Sequence, residues 1–426
     1  MTLANVNIPS RQSAGLLFHH LILAVAFVVM LMIGTDFISI VLWQHPLAKK
    51  VEFLLLAPLL AITLLYFKHF IRGVLASPEI SLMVLFAVLS IAWSDYPNHT
   101  IQRCIPLVVT SAFALALGSM MSLRGLLLFI ALFFAAAMVL SLGAIIALPQ
   151  ARGIPPWDHV WNGIYVHKNG FGLAAAMGLV SCYYASWQFT GRLKAFFVAG
   201  VVLSLFLLVM SQSRTSQIVA VLSMIAMLSS QIMPKRETIW AISYILSSLF
   251  LVGAVTFVLA SPIAEPIFGL IGRKPTLSDR IPTWELVWPY VIERFWIGYG
   301  YAAHWYEEGT YALYYAMKLE YPPHYSHNGL LETFLNVGFV GVVLLFCAFF
   351  RLFFSVFYCM RFIPQRDAFV FVFVLGMLYF FSNITESTIL NRLSDSWMFF
   401  VAYGTKISLV AKALHRSARM KGGSAG

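Results

Sequence analysis

The 426-residue sequence is poor in charge: Asp, Glu, Lys and Arg make up only 11% of it, against 60% hydrophobic residues, where an ordinary soluble domain carries roughly a quarter charged residues. That shortage, with a mean hydropathy of +0.83, excludes a disordered chain and a nucleic-acid-binding module and marks an integral membrane protein. Cysteine is equally scarce. Cys104, Cys182, Cys347 and Cys359 are scattered within or beside apolar stretches and form no Cys-x-x-Cys pair, so neither a disulfide framework nor a zinc site is suggested. No His-Glu-x-x-His, P-loop, Gly-x-Ser-x-Gly or dinucleotide fingerprint occurs in a fitting context. An internal repeat with matched interrupted helices, the usual pointer to a secondary transporter, is also missing.

What the sequence has is apolar runs. About twelve of them approach the ~20 residues that cross a bilayer, near 16–35, 52–67, 78–93, 104–121, 124–148, 169–187, 193–210, 214–233, 239–260, 328–350, 368–385 and 395–412. The second and third are short enough to be tilted or merged. The expected fold is therefore all-α, a polytopic membrane protein of about twelve transmembrane helices. The first run has no Ala-x-Ala cleavage site and is expected to be retained, which puts both termini on one side. Alternating the loops gives that side about 16 of the 28 Lys and Arg residues, joined only by Glu79, Glu237 and Asp367. Short cytoplasmic loops collect basic residues, so the termini are expected in the cytoplasm, and the net charge of +11 records topology. Residues 1–260 are expected to hold helices 1–9, residues 261–327 a large external loop, residues 328–412 helices 10–12, and residues 413–426 a cytoplasmic tail.

Within the large loop, Asp279-Arg280-Ile281-Pro282 has the composition of a helix start. Ile281, Trp284, Val287, Trp288, Val291, Ile292 and Phe295 then recur at helical spacing, the pattern of an amphipathic helix lying on the bundle or bilayer. Gly298-Tyr299-Gly300 stops it, and Pro322-Pro323 forces an extended approach to His327-Asn328. A smaller external loop runs from Pro149 through Pro155-Pro156-Trp157 to His167-Lys168-Asn169.

Ionisable groups at membrane depth are costly and rarely idle, and five external clusters stand out: His167-Lys168-Asn169, Ser211 to Arg214, Asp279-Arg280, His324 with His327-Asn328, and Asn383 with Glu386. Arg214 turns between two spans against the inside bias of arginines. It either snorkels to a headgroup or serves an anion site. Arg280 either pairs on the surface with Glu285 or Asp279 or, with the free N–H groups of its helix terminus, addresses the same anion. His327 either caps the tenth span or accepts a proton; His167 likewise either starts the sixth span, with Asn169 as cap, or serves a site. Glu332 and Glu386 could each pair with an arginine. The aromatics Trp157, Trp161, Tyr165, Trp284, Trp288, Trp296, Tyr299, Tyr301 and Trp305 suit an interfacial belt or a platform for sugar rings. No acidic pair accompanies these clusters, so neither a metal nor a cofactor is expected.

Taken in order, Ser213-Arg214-Thr215, Asp279-Arg280 with Trp284, Gly298-Tyr299-Gly300, and His327-Asn328-Gly329-Leu330-Leu331-Glu332 running to Gly338-Phe339-Val340-Gly341 resemble the O-antigen ligase and polymerase superfamily. His167-Lys168-Asn169-Gly170-Phe171-Gly172 looks like its other signature, and Asn383-Ile384-Thr385-Glu386-Ser387 is similar to the succinoglycan-type exopolysaccharide polymerase branch. The family often has glycine where Asp279 stands. The resemblance implies a metal-independent glycosyltransferase of the bacterial inner membrane with a periplasmic site. Such an enzyme takes an oligosaccharide from undecaprenyl diphosphate and joins it to a second lipid-linked glycan, in a polymerase, or to lipid A-core, in a ligase. By the family's motif, Arg214 and Arg280 would hold the diphosphate and His327 would be the base or orient the acceptor. His167, Lys168, Asn169, Trp284, Tyr299, His324, Asn328 and Glu386 are expected to contact substrate. Membrane lipids and other polysaccharide assembly proteins are the remaining partners, with no nucleic acid. The polymerase is the first expectation, the ligase the second, and a transporter or flippase of the lipid-linked glycan the third.

Overall fold

The computed structural model describes residues 10–153, 160–232, 237–260, 280–319, 323–363 and 366–423. The chain is 81% helical with no strand among these residues. The helices are α1 (Ser10–Gly34), α2 (Phe37–Val41), α3 (Leu47–Leu54), α4 (Leu56–Leu65), α5 (Phe67–Ala76), α6 (Pro78–Leu89), α7 (Pro97–Met120), α8 (Leu123–Ala147) and α9 (Lys168–Gln188). They continue as α10 (Gly191–Met210), α11 (Arg214–Ile232), α12 (Glu237–Ala260), α13 (Arg280–Glu293), α14 (Thr310–Lys318), α15 (Gly329–Phe362), α16 (Arg366–Ser382) and α17 (Asp395–Gly423). Asp279, Pro155, Pro156, Trp157 and Pro322, singled out above, lie outside the described residues.

Among the described residues α1, α7, α8, α10 and α15 are long and apolar enough to cross a membrane. The second expected span is instead a broken element: Leu47–Leu65 and Phe67–Ala76 meet at 86°, because Tyr66, at φ −102° and ψ 34°, leaves helical geometry. Counted as one span, this pair brings the candidate spans among the described residues to six; the expected count of about twelve is not confirmed. The third expected span, α6, has 12 residues, about 18 Å at 1.5 Å per residue and too short to cross alone.

Helix α16 is the hub. Phe369 through Leu375 are all at most 3% exposed, and a helix apolar on every side is stable only when surrounded. Helices α9, α11, α15 and α17 enclose it. Leu17, Leu64, Val202, Val221 and Phe354 are more than half exposed on outer faces, the arrangement of a bundle whose outer solvent is lipid.

The segment after α13 docks on α15. Gly338 breaks α15 with φ 63°, and a Cβ there would collide with the backbone of Trp296 and Ile297. The kink lets Phe339 donate its N–H to the Phe295 carbonyl at 2.7 Å, while Tyr299 donates to the Leu335 carbonyl at 2.8 Å. The expected amphipathic helix exists as α13, but its buried face is Thr283, Val287 and Val291. Trp288 and Ile292 point outward at 52% and 60% exposure, since the kinked α15 meets α13 along a narrower stripe than seven apolar residues would fill.

Candidate functional site

Four helices begin at one place. The first residues of α9, α11 and α13 are Lys168, Arg214 and Arg280, and Lys168 lies within electrostatic reach of both arginines and of Glu386. The start of α15 joins them through His327, whose ring centroid is 6.1 Å from that of His167. Helix starts leave N–H groups without intrahelical partners and carry the positive end of the helix dipole. The four starts and three cationic side chains therefore favour an anion.

Local hydrogen bonds fix each group. Asn328 caps α15, its Oδ1 accepting from the N–H groups of Leu330 and Leu331 at 3.0 Å each. This leaves His327 outside the helix at φ 52°, a left-handed conformation that a bulky residue keeps only when its surroundings hold it. They do so through Ser326: its N–H and Oγ–H donate to Glu332 Oε2 at 3.0 and 2.9 Å, and its carbonyl accepts from Trp284 Nε1 at 2.8 Å. On the other side, the loop after α16 is knitted by Asn383, whose Oδ1 accepts from the Thr388 N–H at 2.8 Å. Gly329 donates to the Asn383 carbonyl at 2.8 Å, Asn328 donates through Nδ2 to the Ile384 carbonyl at 3.1 Å, and Thr385 donates to Thr215 Oγ1 at 2.9 Å. Glu386 is thereby suspended over the starts of α11 and α15.

Glu386 Oε1 accepts from the Arg280 guanidinium at 2.8 Å. Burial pushes its carboxyl up to about 7, against the opposing pull of Arg280, Asn169 and Lys168. His327 Nδ1 lies 3.9 Å from Glu386 Oε2 and has no hydrogen-bond partner among the described residues. Burial first, then Arg280, His167 and His324, push the imidazole down to about 3. The His327–Glu386 contact is accordingly not an ion pair in this state: the imidazole is neutral, and Arg280 takes the carboxylate's charge.

Residues 199–346, about a third of the chain, match the family model described as O-antigen ligase. The chain carries an O-antigen ligase domain. The match supports the O-antigen ligase and polymerase superfamily for this part of the chain and an O-antigen ligase/polymerase-type function of a membrane glycosyltransferase kind, and together with the apolar helices it supports a multi-pass membrane protein. No curated protein matches the chain. The O-antigen ligase domain contains Arg214, Arg280 and His327, while His167 and Glu386 are brought to it from outside the matched residues.

Several expected residues sit differently from their sequence reading. Arg280 pairs with Glu386, 106 positions away, and not with Glu285. The start of α9 is capped by His167, whose Nδ1 accepts from the Asn169 N–H at 3.4 Å; Asn169 is buried and its side chain bonds Glu386. The cap of α15 is Asn328, so His327 has no capping role. Among the described residues Glu332 meets no arginine and instead anchors Ser326 and Trp305. Tyr299, expected at the substrate, is 0% exposed and packs among Tyr290, His304 and Tyr311. Trp284 is a brace, since its indole N–H is spent on Ser326. His324 and Arg214 are exposed, and Arg214 has no carboxylate within ion-pair distance among the described residues.

Sequence reasoning missed Asp36, whose Oδ2 accepts from the N–H of Val166 at 3.2 Å, directly beside His167. Burial pushes it up to about 6. Its one signal was an aspartate immediately after an apolar span. Among the described residues no three His, Cys, Asp or Glu side chains stand close enough to share a metal ion.

Proposed function

We propose that the chain polymerises undecaprenyl-diphosphate-linked oligosaccharide repeat units on the periplasmic face of the bacterial inner membrane by direct, inverting glycosyl transfer without a metal ion. The observation that carries this reading is the meeting of Lys168, Arg214 and Arg280 with four helix starts beside the His327–Glu386 pair. A diphosphate ester is already a good leaving group. The enzyme must stabilise charge developing on it and orient an acceptor hydroxyl.

In this mechanism Arg214, Arg280 and Lys168 hold the diphosphate, with guanidinium forks suited to phosphoryl oxygens. The acceptor oxygen bonds to the anomeric carbon as the bond from that carbon to the diphosphate oxygen breaks, and the electron pair leaves with undecaprenyl diphosphate. The hydroxyl proton passes to the imidazole of His327. Bound diphosphate offsets the positive charge of Arg280 that depresses His327, and ionised Glu386 stabilises the imidazolium beside it. Direct attack gives inversion, whereas a retaining route would need a carboxylate nucleophile at the anomeric carbon, and Glu386 is committed to Arg280.

The description of the matched family favours a second reading, in which lipid A-core is the acceptor. The test is to incubate purified protein with undecaprenyl-diphosphate-linked repeat units and a chelator, with and without lipid A-core, and separate the products on a gel. A ladder without lipid A-core supports the polymerase. Product only with lipid A-core replaces it with the ligase, and no transfer in either case overturns the glycosyltransferase reading in favour of transport.

A further inference from the structure

A second cationic cluster lies on the same face as the candidate site and takes no part in it. Arg103 stands near the start of α7, and its Nε donates to His99 Nε2 at 3.3 Å. The same imidazole bonds the Ala302 backbone and packs on the Tyr306 ring with centroids 4.6 Å apart. Accepting from Arg103, His99 is in its neutral form there and acts as a bracket for the guanidinium. Arg392 approaches from the loop after α16: its carbonyl accepts from Thr110 Oγ1 at 2.8 Å, and two residues before it the Leu390 carbonyl accepts from Tyr301 at 2.6 Å. Thr110 is seven residues beyond Arg103 and on the same face of α7, so this anchoring sets the Arg392 backbone against the face that carries Arg103. The two arginines lie within electrostatic reach of each other.

Both are only partly exposed, and among the described residues neither has a carboxylate within ion-pair distance. Asp36 and Glu307 are within electrostatic reach but farther than direct contact, and Asp95 is taken by Arg294 at 2.8 Å. Half-buried like charges fixed by side-chain and backbone bonds are costly without a counter-ion. Arg392 is six residues from Glu386 in one loop, so the two positions are at most about 20 Å apart.

We propose that Arg103 and Arg392, with His99 bracketing Arg103, form a second diphosphate site that holds the lipid-linked acceptor glycan while its distal hydroxyl reaches the His327–Glu386 pair. This inference rests on the lipid-linked-donor reading above. It assigns the acceptor's own diphosphate, which is not cleaved, to a place separated from the leaving group by the length of a short oligosaccharide.

The experiment is native mass spectrometry of the full-length protein in detergent with undecaprenyl diphosphate as probe. The wild-type chain is expected to bind two molecules, and Arg103→Gln with Arg392→Gln one. The molecule that remains shows that the bundle is folded. Arg214→Gln with Arg280→Gln should also bind one. If the first double variant still binds two, or the wild type binds one that only the second double variant loses, the second site is refuted. A first double variant that binds none is judged by Arg392→Gln alone: weakened binding of one molecule supports the site, and unchanged or abolished binding of both refutes it. Displacement of the second molecule by an equal concentration of phosphatidylglycerol would mean a general headgroup site and overturn the diphosphate assignment. Two molecules retained by the Arg214, Arg280 variant would overturn the donor reading, and with it the acceptor role, while diphosphate binding at Arg103 and Arg392 is read separately from the first double variant.

Discussion

Substituting Glu386 by Gln keeps the shape of the side chain and removes the one carboxylate within 4 Å of His327 among the described residues. In the wild-type protein Glu386 is held up to about 7, so the ionised fraction falls about tenfold between pH 8 and pH 6, and kcat/KM should fall with it if the carboxylate must be charged to stabilise the His327 imidazolium. The sign follows from the shift: activity is nearly complete by about pH 8 and is lost as pH falls through about 7. Glu386→Gln should lower kcat by roughly 10²- to 10⁴-fold, the usual worth of a positioned proton-transfer partner, and should abolish the acid limb. The assay is initial-rate polymer formation in detergent between pH 5.5 and 8.5, at saturating and limiting lipid-linked glycan. A Glu386→Gln protein that keeps an acid limb near pH 7, or loses rate only through KM, would refute the role. The slope would then belong to another group, Asp36 among them, held up to about 6.

Three further outcomes follow from the packing. Arg280→Ala strands Glu386 at 9% side-chain exposure without its partner, which should cost about 3–5 kcal/mol, and adding Glu386→Gln should restore much of it; thermal unfolding of the single and double variants in detergent compares them. Asn328→Ala removes the α15 cap and the side-chain bond to the Ile384 carbonyl in the loop after α16, and should cost about 0.5–2 kcal/mol for the cap alone while kcat falls more than binding, read from unfolding and single-turnover rates. Gly329→Ala sets a Cβ 2.5 Å from Asn383 Oδ1 and 2.9 Å from its Cβ, an overpacking cost of about 1–3 kcal/mol, and should displace Glu386; near wild-type stability and activity would show that the loop yields freely.

Composition and hydrophobic patterning were enough to establish that the chain is an all-α membrane protein, because lipid forces every backbone polar group into internal hydrogen bonds. The starts of α9, α11, α13 and α15 were equally legible, since the residues that begin them, Lys168, Arg214, Arg280 and Gly329 after Asn328, stand where polarity gives way to apolar runs. Hydropathy is blind to the bend at Tyr66 and to the shortness of α6, so the shape of those two apolar runs was not legible. The site was legible as separate motifs, and only the tertiary structure decided their grouping. The Arg280–Glu386 pair spans 106 positions, and the Asp36 to Val166 bond 130; such separations carry no periodic signal. That Tyr299 is fully buried, and that Glu332 and Trp284 both bond Ser326, was also invisible in the sequence, since burial is a property of packed elements and not of residue type. The proton affinities of His327 and Glu386 belong to this same level. Sequence names a histidine and a glutamate, and only enclosure beside Arg280 drives one down and the other up.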